Sequence, residues 1–338
     1  MTNFIPVKKL KKEPFAPSCD ISCAEHCAMD VALEEVLELA DLNLLVLGVG
    51  ECAFYSQKQL FGGNRRNWAY KLTDKEIVFG DMQGVEDAIC DISTNGLKTV
   101  CVVTCIPSIM NLDLESITEN RDDIVVLNAP DFKGISAYDI VGELYFQLLK
   151  DVNINPSNGV SVWEKNFDSV DSIIKNLQAK THVVRNAKYL KALEYLSAKY
   201  KLEIIDDTHF QSVDFYQSKK NLIGISEDML LKITSTVEKL KGKSFNVKSA
   251  KSYEYALFLQ NYGCEIRSVV CAVYNEDAYN RLMKLGEKVN VSLDYNSKLP
   301  NDGAINIDLS EFDAEIFQTC GAKRLCKMLE KTEELCRL

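Results

Sequence analysis

The chain has 338 residues, 46% of them hydrophobic and 26% charged, with a net charge of −10. That length leaves room for two domains or three small ones, and the balance is that of an ordinary soluble globular protein. The acidity argues against non-specific binding to nucleic acid or to an anionic membrane surface. No apolar run reaches the roughly 18–20 residues of a membrane helix. The N-terminus carries lysines but no apolar core after them, unlike a secretory signal, so a cytoplasmic location is expected.

Residues 1–18 read as a basic, extended lead-in broken by Pro6, Pro14 and Pro17. Leu33, Val36, Leu37 and Ala40 recur at helical spacing and predict a helix from about Asp30, its N-cap, to Ala40. Leu44–Leu47 is a buried strand that ends in Gly48-Val49-Gly50-Glu51-Cys52. Residues 60–75, with Gly62, Gly63, Arg65 and Arg66, read as a solvated loop, although the arginines could face a partner or an anionic substrate. Ile77–Phe79 reads as a short strand stopped by Gly80, and Gln83–Ile92 as a helix. Val100–Val103 and Ile124–Leu127 are strands, and Tyr138–Leu149 is a helix. Asn153–Gly159 is the predicted domain boundary. Beyond it come strands at 182–185 and 203–205 around a helix at 187–199. A βαβ unit follows: strand 244–247, helix 251–262, strand 266–272. A strand at 303–307 and a helix at 322–335 close the chain. Such alternation predicts parallel α/β sheets.

Twelve cysteines stand against three histidines, and in a reducing compartment they are not expected to form disulfides. A thiol-rich, histidine-poor composition leans towards iron–sulfur or zinc chemistry. Cys52 lies a few residues past one buried strand and Cys105 just past another. Ligands of open parallel sheets bind beyond such carboxyl ends. Cys27 lies just before a helix, where backbone amides and the dipole favour a thiolate or an anionic cluster. Three cysteines from separate segments at one end of a sheet suit a cluster; the alternative is that two of them only pack. Cys19 and Cys23 share a three-residue gap with Cys27, which is not zinc-ribbon spacing; they are alternative ligands or bystanders, and His26 is a loop residue. Cys90, Cys101, Cys264 and Cys271 lie in apolar stretches and read as core; Cys320, Cys326 and Cys336 read as packing or exposed.

Gly48-Val49-Gly50-Glu51-Cys52-Ala53 also fits a loose dinucleotide fingerprint, but that needs a helix directly after it and an acid at the end of the next strand. The reading of 60–70 as loop sets it aside. No Walker A sequence is present, so no nucleotide site is expected on this chain.

The stretch from Cys27 to Gln147 resembles the first domain of nitrogenase component 1 and its relatives. Those relatives include cofactor scaffolds, protochlorophyllide reductase and nickel-tetrapyrrole reductive cyclase subunits. Four motifs in order carry the resemblance. They are Cys27 followed by Gly50-Glu51-Cys52-Ala53-Phe54-Tyr55; Glu76-Ile77-Val78-Phe79-Gly80-Asp81; Thr104-Cys105-Ile106-Pro107 with Asp113 and Glu115; and Ala129-Pro130-Asp131-Phe132-Lys133-Gly134. The resemblance implies that Cys27, Cys52 and Cys105 ligate an iron–sulfur cluster, of 4Fe–4S or the larger P type, at a subunit interface. It implies two partners: a second component-1 type subunit, like or unlike, and an ATP-dependent iron protein as electron donor. The expected fold is α/β, Rossmann-like parallel-sheet domains with flanking helices, shortened relative to the family's three-domain pattern. Residues 1–155 would form the cluster domain, and 156–338 one or two smaller Rossmann-like domains. The implied activity is an oxidoreductase relaying electrons to a small molecule, a tetrapyrrole among the candidates. A non-catalytic scaffold for cofactor assembly, or a structural partner subunit, is the alternative. No residue matches the ligands of the nitrogenase active-site cofactor, so dinitrogen reduction is not implied.

Overall fold

The computed structural model describes residues 4–11, 27–58, 66–80, 82–92, 96–112, 114, 118, 121–130, 137–249, 251–272, 276–294, 296–312, 316 and 321–337. Several residues singled out in the sequence lie outside these: Cys19, Cys23, His26, Gly62–Arg65, Asp81, Asp113, Glu115, Asp131–Ser136 and Cys320. The fold is mixed α/β, with parallel sheets and flanking helices. The chain forms two compact units, residues 16–205 and residues 1–15 with 206–338.

The 16–205 unit opens with α1 (Ala28–Glu38), β2 (Leu42–Gly48), α2 (Gly50–Lys58), β3 (Asn67–Lys71), α3 (Asp74–Phe79), α4 (Gln83–Ile92), β4 (Lys98–Val103), α5 (Cys105–Ile109), β5 (Ile124–Asn128) and α6 (Ala137–Leu149). The number β1 is kept for Ile5–Pro6, in the other unit. The sheet is parallel, in the order β3-β2-β4-β5. All seven residues of β2 are buried, as its unbroken apolar run requires of a central strand covered on both faces. On one face Leu44, Val46, Val100 and Val102 pack under Leu33 and Val36 of α1 and Leu144 of α6. On the other, Leu45, Leu47 and Val103 pack under Val85 and Ile89 of α4.

A second sheet in the same unit runs β6 (Ser157–Trp163), β7 (Ala179–Val184), β8 (Glu203–Asp206), and α8 (Leu190–Tyr200) shares its core with α7 (Val170–Asn176). One core joins both sheets: Tyr145 of α6 lies against Trp163 and Tyr189, with ring centroids 6.4 and 5.7 Å away. Buried Glu35 of α1 accepts from the Tyr145 hydroxyl and, at 2.6 Å, from Lys188 Nζ. The sequence-predicted boundary at 155–156 thus falls inside this unit, and β6 begins at Ser157, where a loop was expected.

The other unit holds a five-stranded sheet, β1-β11-β10-β9-β12, built from β9 (Ser244–Lys248), β10 (Glu265–Val270), β11 (Asn290–Ser292) and β12 (Ile305–Asp308). All its pairings are parallel except β1 with β11. Its helices are α9 (Val213–Ile223), α10 (Glu227–Leu240), α11 (Ser252–Asn261), α12 (Glu276–Leu282) and α13 (Gly321–Leu335). The β9–α11–β10 unit is the βαβ read from the sequence.

Three local expectations are corrected. Ile77–Phe79 belongs to α3, not a strand: Thr73 and Glu76 form a reciprocal capping box, and Gly80 closes the helix at φ 69°. Residues 67–71, expected in a loop, are the edge strand β3. The first helix starts at Ala28 with Cys27 at its N-cap, so Asp30 lies in the first turn and is not the cap.

Candidate functional site

Chain connection through the first sheet reverses direction at β2. From β2 the chain steps to β3 on one side and then crosses to β4 on the other. The carboxyl ends of β2 and β4 therefore flank a topological switch point, where open α/β sheets leave a crevice. Cys52 stands in the first turn of α2, directly after β2, and Cys105 is the first residue of α5, directly after β4. Both thiols are half-buried. Burial pushes the Cys52 thiol up; a hydrogen bond with the Thr104 side chain pulls it back, and the nearby Cys105 thiol raises it again. The two cysteines, from different strands, thus stand within electrostatic reach of one another.

Gly48 and Thr104, which the sequence offers only as members of the Gly48–Cys52 turn and the Thr104–Pro107 motif, shape this crevice. A Cβ on Gly48 would meet Thr104 Oγ1 at 2.7 Å and the Cys52 Cβ at 2.8 Å, so only glycine lets the two segments approach this closely. Thr104 is held in turn by its hydroxyl, which donates to the Leu47 carbonyl at 2.9 Å. A glycine and a hydroxyl residue at successive strand ends were the available signal. Cys27 is half-buried and packs on the same core that Cys52 touches.

Among the described residues, no three of His, Cys, Asp and Glu stand close enough to hold one metal ion. The donor set fits a sulfur-ligated cluster in part. Two soft, half-buried thiols flank a strand-end crevice, but the described residues of one chain do not close a ligand shell.

Other expected roles change. Arg66 is not a solvated loop arginine: its guanidinium donates to the carbonyls of Leu39 at 3.2 Å, Leu42 at 2.8 Å and Ala40, tying together the turn between α1 and β2. Cys90, expected in the core, is exposed, and Arg121 Nη1 lies 3.6 Å from its sulfur. Cys101, Cys264, Cys271 and Cys326 are buried. The helix that a dinucleotide fingerprint needs is present as α2, so that objection falls. The missing acid remains, because β3 ends in Lys71.

The chain is a parallel α/β protein in which Cys52 and Cys105 follow the carboxyl ends of neighbouring strands. No protein-family model matches it, and no curated protein matches it in sequence. Its fold is nitrogenase-like. It is similar to the solved structure of "Nitrogenase Cp1 at pH 6.5", with a TM-score of 0.63 and 11% identity, over 98% of this chain and 95% of that one.

Proposed function

We propose that this chain is a cytoplasmic subunit of a nitrogenase-like reductase in which Cys52 and Cys105, joined by Cys27, ligate an iron–sulfur cluster. The cluster would receive electrons from an ATP-hydrolysing iron protein and pass them to a bound small molecule, a tetrapyrrole among the candidates. The observation that carries this reading is the pair of half-buried thiols flanking the switch point of a nitrogenase-like fold.

The cluster, when bound, supplies low-potential one-electron chemistry. The chain's own residues prepare the place. Gly48 lets the β2 and β4 ends close on each other, the bond from the Thr104 hydroxyl to the Leu47 carbonyl fixes Thr104 beside Cys52, and half-burial limits water. Ligands that one chain lacks would come from a second component-1 type subunit. Large apolar side chains stand exposed on the helices that follow β2, β3 and β4: Phe54, Val78, Phe79 and Ile109, at 57%, 70%, 78% and 64% exposure. Such a rim suits a subunit contact. The open ligand set favours one second reading, a scaffold that takes up a metallocluster and hands it on.

Electron delivery is the test. The chain, purified anaerobically with its cluster, is mixed with a nitrogenase-type iron protein, and the reduced cluster is followed by EPR. The relay reading expects a signal that grows only when ATP is added. A cluster-loaded chain that stays unreduced with ATP, yet passes its iron to an apo acceptor, would overturn the relay in favour of the scaffold.

A further inference from the structure

We infer that the open edge of β5 is a docking groove for an extended segment of a partner protein, one in which basic and apolar side chains alternate. Among the described residues the strand lies at the border of its sheet, paired with β4 on one side only. Thr99 N–H donates to the Asp123 carbonyl at 2.7 Å and Ala129 N–H to the Val103 carbonyl at 2.9 Å, so odd-numbered residues turn their main chain towards β4. Alternation then turns the N–H and C=O groups of Val126 and Asn128 outward. Among the described residues nothing bonds to them.

A groove of about 1130 Å³ runs along this edge. Its two walls belong to opposite faces of the sheet and differ in chemistry. On one face stands α6 with Asp139 and Glu143, the latter accepting from Gln147 at 2.6 Å, followed by Asp151; Lys150 lies beside them, and Lys191 is within electrostatic reach of Asp139. On the other face Pro107, Leu112, Leu114 and Val126 make an apolar wall. Lys98 and Arg121 line the amino end of the groove, the latter held by Asp123 at 2.8 Å.

A strand laid along β5 would send alternate side chains to alternate walls. Those facing α6 meet carboxylates and are best basic; those facing Leu112 and Leu114 are best apolar. Main-chain bonds to Val126 and Asn128 give such strand addition its affinity, and the two walls give its specificity. The same edge left bare would invite unspecific pairing, so a built groove there also limits what can add. This surface adjoins the thiol crevice at α5 and does not depend on the reductase reading.

The probe is a peptide of roughly seven alternating Lys and Val residues, titrated against the full chain by fluorescence anisotropy. Saturable binding is expected. A Glu/Val peptide, and a Lys/Val peptide N-methylated at alternate amides, should each bind about tenfold more weakly or worse. Glu143→Lys should weaken the Lys/Val peptide and strengthen the Glu/Val one. Equal binding of the N-methylated form, equal binding of Glu/Val, or no binding overturns the proposal. So does a dimer of the chain alone that the Lys/Val peptide dissolves, since the groove would then belong to a second copy.

Discussion

At the level of single residues, His182 shows how burial sets a protonation state. Its Nδ1 lies 2.9 Å from Trp163 Nε1, which donates to it, and 2.7 Å from the Ser161 hydroxyl, while Nε2 faces the Ala179 carbonyl at 2.8 Å. This arrangement suits a neutral ring protonated on Nε2. Burial lowers its pKa from 6.5 to about 4, against the pull of the Ala179 carbonyl. A depressed pKa means stability present above pH 6.5 and lost as pH falls through about 4. The loss is on the order of 3 kcal/mol at most. Asp30 works in the opposite direction: burial, then the charge of Glu34, raise it from 3.8 to about 6. Its contribution is present below pH 3.8 and lost as pH rises through about 6. Between pH 6 and 4 the two groups oppose each other. Urea unfolding at both pH values should therefore show a steeper acid loss in Asp30→Asn than in the wild type. His182→Gln should flatten or reverse the loss. Parallel pH profiles for all three proteins would contradict this assignment.

At the level of elements, the ends decide more than the middles. The turn from α1 into β2 is held where the Arg66 guanidinium gathers the carbonyls of Leu39, the helix C-cap, of Ala40 and of Leu42, the first residue of β2, in charge-assisted bonds. Arg66→Ala should cost about 2 kcal/mol in chemical denaturation, and Arg66→Lys should recover only part of it. A loss no larger than that of an ordinary surface substitution would mean that this clamp carries no weight. Arg66 also shows what the sequence withheld. Two adjacent arginines beside Gly62-Gly63 look like a solvated loop, because the carbonyls that hold one of them lie some two dozen residues away. Elements with long apolar runs or clear helical spacing, such as β2, β4 and α4, were legible. The Ile77–Phe79 run was read as a strand although Thr73 and Glu76, a capping pair, stand just before it. The β3 strand Asn67–Lys71 was hidden by its polar flanks, and an edge position asks for no continuous apolar run.

At the level of the whole molecule, parallel α/β architecture follows from the strand–helix alternation, and the likeness to a nitrogenase Cp1 structure extends over nearly all of both chains. The placement of Cys52 and Cys105 after strand ends was legible for a physical reason. Cys52 and Cys105 follow apolar runs, and a parallel sheet places all its carboxyl ends on one side. Gly48 and Thr104 were not, since their role lies in contacts across the crevice. Nor does strand position decide how near Cys27 comes to the pair, because it stands at the start of a helix and not at a strand end. The claim that Cys52 and Cys105 hold a cluster is tested most directly by iron and acid-labile sulfide analysis of anaerobically purified protein. Wild type, Cys52→Ser and Cys105→Ser are compared at equal folded content, checked by circular dichroism. The expected result is matched iron and sulfide in the wild type and their loss from both variants. Unchanged iron and sulfide in both variants would contradict the account.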